Sequence, residues 1–387
     1  MHNPIPLSLY IHIPWCVKKC PYCDFNSHAI KDGVPETLYI EKLLNDLKQD
    51  LPYIQGRSIK TIFIGGGTPS LFSPQAIGQI LDNVATTLRL ERDIEITMEA
   101  NPGTLEHKAF SDYRLAGITR LSLGAQSFQD DKLTTLGRIH KSDEIKRAIE
   151  CILVANFKSF NIDLMYGLPN QTLEDALFDL KTALSFGPAH LSWYNLTIEP
   201  NTVFHHKQPP LPTDDLVAEM QAAGEELLDV HGLKQYEVSA FSQPGHQCQH
   251  NLNYWEFGDY LGIGAGAHGK ITDIEKNRIT RYWKTRYPQS YLNPNYPFMA
   301  GTKNIPTHEL PLEFMLNALR LTEGASIPLF EQRTGLPISS IKHTLEKAIL
   351  QDFLAIDDQK IITTDLGKRF LNDLLTLFFP AKLPEMA

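Results

Sequence analysis

This chain has no apolar run near the length, about 20 residues, that a membrane-spanning helix requires, which argues against an integral membrane protein. Its opening residues, MHNPIPLSLYIHIPWC, lack a basic stretch followed by an apolar core and a small-residue cleavage site. No secretory signal is therefore expected, and the cytoplasm is the expected compartment. Positive charge is scarce: 36 Lys and Arg against 45 Asp and Glu give a formal net charge of -9. That balance argues against a broad nucleic-acid-binding surface, and no nucleic-acid partner is expected. Cysteine is scarce too, and its distribution matters more than its number. Of five cysteines, Cys16, Cys20 and Cys23 fall within eight residues. A disulfide framework spreads its cysteines along a small secreted chain. Three clustered thiols in a reducing compartment point instead to metal or redox work.

What is present looks globular. The 387 residues, 42% hydrophobic and 21% charged, suffice for two or three domains. Apolar, β-branched runs predict strands at 8–13, 61–65, 95–100, 120–126, 161–166 and 190–197. Helical periodicity predicts helices at 37–51, 74–90, 105–116, 143–155 and 172–186, the second with Ser73 as its N-cap. Strand–helix alternation of this kind argues for a parallel sheet with helices outside it. Either an incomplete (β/α) barrel or an open doubly wound sheet would satisfy the pattern. After Glu199 the pattern changes: Pro200, Pro209, Pro210 and Pro212 mark a loop, followed by a helix at 214–231 and a strand at 236–241. A histidine-rich loop, the segment 251–255 and the glycine-rich LGIGAGAHG (261–269) come next, and 270–308 read as irregular connection. From Leu310 onward, helices at 311–321, 327–334 and 339–350, a hairpin of 353–356 with 361–363, and a helix at 364–378 suggest a winged-helix-like α+β unit. From Glu309 to the end there are 8 basic and 11 acidic side chains, so this unit reads as a packing or cover domain, not a DNA reader.

The chemistry begins where the first predicted strand runs into CVKKCPYC, spaced CxxxCxxC. Thiolates bind iron–sulfur clusters, and a tight loop lets one segment wrap a cubane. Three ligands serving four irons leave one iron open to a substrate. The competing reading is zinc, with His12 or His28 as fourth ligand. Structural zinc sites usually pair two such knuckles, and the sequence holds no second one. Cys151, inside a predicted helix, reads as a buried small apolar residue. Cys248, in a polar loop, is open to three readings: an exposed thiol, an accessory ligand, or neither.

GGGTPS (65–70) ends the second predicted strand. Its glycines either let the backbone approach a ligand or make a tight turn; a position on the cysteines' rim favours a ligand. Glu99 closes the third strand, Gln126 the fourth, Asp163 lies within the fifth, and Arg138 follows the fourth. Each alone could be a satisfied polar group or a cap. Together they put two acids, an amide and a cation around one rim, the C-terminal rim on which such barrels build active sites.

The stretch from Tyr10 to about Gly269 resembles the radical S-adenosylmethionine enzymes. Within them it resembles the branch of oxygen-independent coproporphyrinogen III oxidases and haem chaperones. The resemblance rests on CxxxCxxC, the lead-in YIHIPWC and GGGTPS. It implies a partial (β/α)6 barrel and a [4Fe–4S] cluster on Cys16, Cys20 and Cys23, with the amine and carboxylate of S-adenosylmethionine chelating the fourth iron. It implies that Tyr10, Tyr22, Gly66, Gly67, Thr68, Glu99, Gln126, Arg138 and Asp163 contact S-adenosylmethionine. Arg138 suits the carboxylate, and Asp163 and Gln126 suit the ribose hydroxyls. It also implies an electron donor, such as a flavodoxin or a ferredoxin, whose electron splits the sulfonium into methionine and a 5′-deoxyadenosyl radical. The implied division is a radical S-adenosylmethionine partial barrel over 1–235, a linking region over 236–308 and a winged-helix-like domain over 309–387.

Three features separate the branches. The oxidases carry a fourth cysteine two residues beyond the third, where this chain has Phe25, and a longer extension than the fifteen residues preceding Cys16. Downstream, CQHNLNYWEF contains HNxxYW at His250, Asn251, Tyr254 and Trp255, matching the haem-binding motif of the chaperones. Imidazole is a common axial ligand of haem iron, and Tyr and Trp can stack on a macrocycle while offering a polar tip. The alternative is a loop histidine beside packing aromatics. His205, His206, His246 and His268 are further ligand candidates. The expected protein is thus a haem chaperone that binds haem through His250 and delivers it to haem-dependent, respiratory enzymes. Decarboxylation of coproporphyrinogen III and a zinc-bearing winged-helix regulator are the alternatives. Haem acceptors are often membrane proteins, so peripheral membrane contact is open, and FLNDLLTLFFP (370–380) is either an apolar face for it or part of a core.

Overall fold

Six strands hydrogen-bond side by side in chain order, all parallel: β1 (Leu7–Ile13), β2 (Ile59–Gly66), β3 (Leu90–Ala100), β4 (Arg120–Gln126), β5 (Ser159–Tyr166) and β6 (His190–Asn195). They come from a computed structural model that describes residues 5–31, 33–104, 107–276 and 278–380. The first four residues, and Leu105 and Glu106 at the start of the third predicted helix, lie outside the described residues. A doubly wound sheet reverses its strand order at a switch point. These six strands do not reverse, which selects the partial barrel. Successive strand residues point to opposite faces, and on one face of β1 and β2 Leu7, Leu9, Ile11, Ile13, Ile62 and Ile64 are buried.

The outer helices bury one stripe each. Glu36–Asp50 turns Tyr39, Ile40, Leu43 and Leu47 onto the sheet. Pro74–Thr87 begins at Ser73, whose Oγ accepts from Ala76 N at 3.2 Å. Ser73 also donates to the Glu36 carboxylate through its backbone N (2.7 Å) and its Oγ (2.9 Å), tying the two helices together. Replacing Ser73 with Ala is expected to cost about 1 kcal/mol. The expected readout is a lower urea midpoint at unchanged slope; an unmoved midpoint would show that the cap contributes nothing.

The sheet extends beyond these six strands on both sides. The strand predicted at 236–241 is two short strands, β7 (Lys234–Glu237) and β8 (Ala240–Ser242), with β8 antiparallel to β6. On the other edge, β9 (Asp259–Ile263) runs parallel to β1, aligning Ile11 with Ile263. β10 (His268–Asp273), β11 (Arg278–Lys284) and β12 (Met299–Asn304) continue it antiparallel. Irregular connection was the wrong expectation for 270–308. The reason is visible in two buried lysines. Lys270 Nζ lies 2.9 Å from Asp259, which Arg57 also reaches at 2.7 Å, and Lys284 Nζ lies 2.6 Å from Asp46 and 2.8 Å from Asp50. Lysines facing inward break the alternation that marks a half-buried strand.

The C-terminal region has helices Leu310–Ala318, Ile327–Thr334 and Lys342–Leu350 and a small antiparallel sheet of Ala325–Ser326, Lys360–Thr363 and Leu354–Asp357. The last predicted helix breaks at Phe370 into Asp365–Arg369 and Leu371–Thr376. Leu374, Leu375 and Phe378 of the apolar run pack into this region's own core with Phe314 and Phe330, leaving Phe370 and Phe379 exposed. Among the described residues, no helix is long and apolar enough to cross a membrane.

Candidate functional site

Because β1 to β6 run parallel, their C-terminal ends share one rim. The loop leaving β1 carries the three cysteines. It is pinned at its start by pairing of Trp15–Cys16 with His28–Ala29 and at its end by Asn26. Asn26 Nδ2 donates to the carbonyls of Ala265 and Arg286, each at 2.9 Å. His12 Nε2 meets Asn26 O at 2.9 Å and Nδ1 meets the Tyr10 hydroxyl at 3.0 Å. Both nitrogens of His12 are thus engaged, and His28 Nε2 meets Asn26 Oδ1 at 3.2 Å. Asn26 escaped the sequence reading because its partners lie more than two hundred residues downstream.

The glycines of GGGTPS are required by this loop whatever binds above them. Gly66 has φ +114°, and a Cβ there would lie 2.5 Å from the His12 ring. A Cβ on Gly67 would lie 2.3 Å from the Trp15 carbonyl oxygen, because Gly67 N and Thr68 N donate to the carbonyls of Ile13 and Trp15 at 2.7 Å. The tight-turn and ligand-approach readings coexist: the turn lets the cysteine loop cross β2, and the same residues line a cavity.

That cavity has a volume of about 380 Å³. Cys16, Cys20, Cys23 and Tyr22 form its roof, and Gly66, Gly67 and Thr68 form one wall. Glu99, Gln126, Arg138 and Asp163 complete it, joined by Asn251 from far along the chain. Glu99 accepts from Gly66 N at 3.0 Å, and burial, with Asp163 nearby, pushes its pKa up to about 7. Burial also raises Asp163, against hydrogen bonds from Ser122 (2.9 Å) and Asn161 (2.7 Å). Gln126 sits at φ +69° where the β4–β5 register shifts, a bulge that re-aims a side chain. Its Oε1 accepts from Tyr194 at 2.7 Å.

The donors in this cavity fit an iron–sulfur cluster and an anionic ligand. All three thiols are free. Arg138 Nη2 donates to Gly124 O at 2.7 Å and Nη1 to Cys20 Sγ at 3.8 Å, while its Nε is buried without a partner among the described residues. An orphaned guanidinium donor beside a thiol suits a carboxylate. Among the described residues, no three His, Cys, Asp or Glu side chains converge as a single ion requires. A cubane takes one thiolate per iron, so its three thiols stand further apart than the ligands of one tetrahedral zinc do.

A second cavity, about 400 Å³, adjoins the first and shares Phe25, Gly66 and Glu99 with it. Phe25, which occupies the oxidases' fourth-cysteine position, is 60% exposed between the two. Tyr10 lines this second cavity and not the first. The motif segment is a helix, Gln249–Trp255, whose N-terminal amides at Gln249 and His250 donate to Glu95. Asn251 faces the first cavity, and Tyr254 and Trp255 line the second. His250 lines neither. It is fully buried, with Nδ1 2.8 Å from Thr61 Oγ1, Nε2 2.9 Å from the Tyr254 hydroxyl and its ring 5.2 Å from that of Phe63. Burial holds its pKa down to about 3, so the ring is neutral.

Cys248 is buried as well, against Glu95, and burial pushes its thiol up to about 12. That corrects the exposed-thiol reading. Cys151 is half-buried in the helix Ser142–Ala155. His205, His206 and His246 line neither cavity, whereas His268 lines the second.

Residues 10–182 match the Radical SAM superfamily and 305–370 the HemN C-terminal domain. A protein of Escherichia coli (strain K12) named Heme chaperone HemW is 52% identical over 373 residues, 96% of this chain and 98% of that one. Its namesake from Bacillus subtilis (strain 168) is 33% identical over 381 residues, again 96% of this chain and 98% of its own. The solved structure of coproporphyrinogen III oxidase (HemN) from Escherichia coli matches with a TM-score of 0.82, covering 98% of this chain and 91% of that chain. At 22% identity that is a likeness of fold. Radical SAM membership implies a [4Fe–4S] cluster and S-adenosylmethionine, for which the rim has the thiols and the orphaned donor. With identity running from the cysteine loop to the C-terminal region, the chain belongs to the HemW family of radical S-adenosylmethionine proteins.

Proposed function

We propose that this chain is a haem chaperone that receives haem and hands it to haem-dependent, respiratory enzymes. The observation that carries this reading is the 52% identity with HemW over nearly the whole chain, both cavities included. The geometry supports it, since the motif helix touches both cavities at once. Cys16, Cys20 and Cys23 would hold the cluster. Arg138 would grip the carboxylate of S-adenosylmethionine, Glu99 would accept from its amine, and Asp163 and Gln126 would face its ribose. Tyr22, Gly66, Gly67 and Thr68 would wall it in. A bound cluster with one open iron supplies a one-electron reductant and a chelation point. Haem is cargo, laid against Tyr254 and Trp255 in the second cavity with Asn251 looking the other way. Ligation through His250 would require its ring to leave both Thr61 and Tyr254. A flavodoxin or ferredoxin as electron donor, a cytoplasmic location and peripheral contact with membrane-bound acceptors complete the proposal.

The test is an anaerobic rebuild of the cluster followed by haem titration and a supply of coproporphyrinogen III. Saturable haem uptake with no decarboxylation is the expected result; protoporphyrinogen formation at catalytic turnover would overturn it. Glu99 adds a pH dependence. Its carboxylate form is the acceptor, so S-adenosylmethionine should bind more tightly as pH climbs through about 7. Glu99→Gln should remove that step from the calorimetric profile. A step of the same size in both proteins would assign it to another group.

A further inference from the structure

We infer that His268, and not His250, is the side chain that meets haem iron in the second cavity. The inference rests on the cargo reading above and names the ligand within it. β9 runs parallel to β1, so the turn after it arrives at the cysteines' rim. That turn is keyed to the cysteine loop by two left-handed glycines. A Cβ on Gly264 (φ +101°) would lie 2.4 Å from the His12 carbonyl oxygen, and one on Gly266 (φ +82°) would lie 2.0 Å from Asn26 Nδ2. His268 then opens β10, its carbonyl so close to Gly262 that a Cβ there would lie 1.8 Å from the oxygen. Its backbone is therefore fixed, yet its imidazole is exposed, lines the cavity and has no hydrogen-bond partner among the described residues.

The other groups in the cavity that could ligate iron are engaged. His12 uses both ring nitrogens, one of them on Tyr10. The Tyr254 hydroxyl is hydrogen-bonded to His250 Nε2. The Tyr260 hydroxyl accepts from Arg281 at 3.2 Å, and Lys270 is paired with Asp259. Imidazole is a common axial ligand of haem iron, and His268 presents one with unengaged nitrogens in the cavity that Tyr254 and Trp255 also line. His250 becomes a positioning residue that holds the Tyr254 ring edge-on at 4.8 Å.

The experiment uses the full chain with its cluster rebuilt, titrated with ferric haem and then reduced. Parent, His268→Ala and His250→Phe are compared by Soret position, ferric spin state and release of haem to apomyoglobin. His268→Ala should change the Soret band and spin state and speed release about tenfold or more, and added imidazole should restore the parent spectrum. His250→Phe should keep the parent's axial signature. A His268→Ala protein indistinguishable from the parent, or loss of the axial signature in His250→Phe alone, would overturn the ligand assignment while leaving the cargo reading intact. A parent chain that takes up no haem would overturn both. Retained cluster absorbance in each variant reports that it has folded.

Discussion

A Cys20→Ser chain, rebuilt with iron and sulfide under anaerobic conditions, will hold no cluster and will bind S-adenosylmethionine only at background level. The three thiols share one short loop and one cavity, and no other free cysteine lines it. With one thiolate gone, two remain for four irons, and serine is a poor substitute for a soft ligand. Cys20 is also the thiol that Arg138 reaches, at 3.8 Å, so its loss disturbs the cation assigned to the cofactor's carboxylate. The control is Cys151→Ser, which lies outside this cavity and should keep the full iron and sulfide content and the charge-transfer absorbance. Equal loss in both variants would mean that the thiols act on folding and not as ligands.

Asp259→Ala should be the most destabilising single change away from the cavities, at about 3–5 kcal/mol. Asp259 is fully buried and answers two cations, Arg57 at 2.7 Å and Lys270 at 2.9 Å. It also accepts from Thr272 N and Oγ1, each at 2.8 Å. Removing it strands a buried ammonium and guanidinium, and whole-domain stabilities are only about 5–15 kcal/mol. The cations hold the Asp259 carboxyl below its ordinary range, the Lys270 ammonium and Arg57 guanidinium outweighing its burial. Its contribution is therefore complete above about pH 3.9, the unfolded value, and is lost as pH falls through the lower native value. Urea unfolding at neutral pH measures the loss. Repeating it in acid should show parent and variant converging; a gap that stays constant with pH would contradict the ion-pair account.

Much of the rim was readable in the sequence because local signals carried it. The predicted 120–126 and 161–166 agree with Arg120–Gln126 and Ser159–Tyr166, since Leu121 and Leu123, and Phe160, Ile162 and Leu164, recur at every second position. Ser73 was readable as a cap because capping is decided within three residues. What stayed hidden depended on distant partners. Lys270 and Lys284 look like surface residues until Asp259, Asp46 and Asp50 are placed beside them, and β10 to β12 disappeared with them. β9 was masked by Gly262, which the sequence presents as part of a glycine-rich loop and the fold uses for close approach to β10. The motif at 250–255 was legible as chemistry but not as geometry. Period and spacing cannot reveal that His250 turns inward onto Thr61 while Asn251 and Tyr254 look into separate cavities.

The most direct test of a haem-delivering protein is delivery itself. The cluster-bearing chain, loaded with haem and supplied with S-adenosylmethionine and a reductant, is mixed with a haem-free b-type acceptor, and the acceptor's spectrum and activity are followed. The expected result is transfer of haem to the acceptor, with coproporphyrinogen III left unconsumed when it is offered to the same preparation. Turnover of coproporphyrinogen III without any transfer of haem would contradict it.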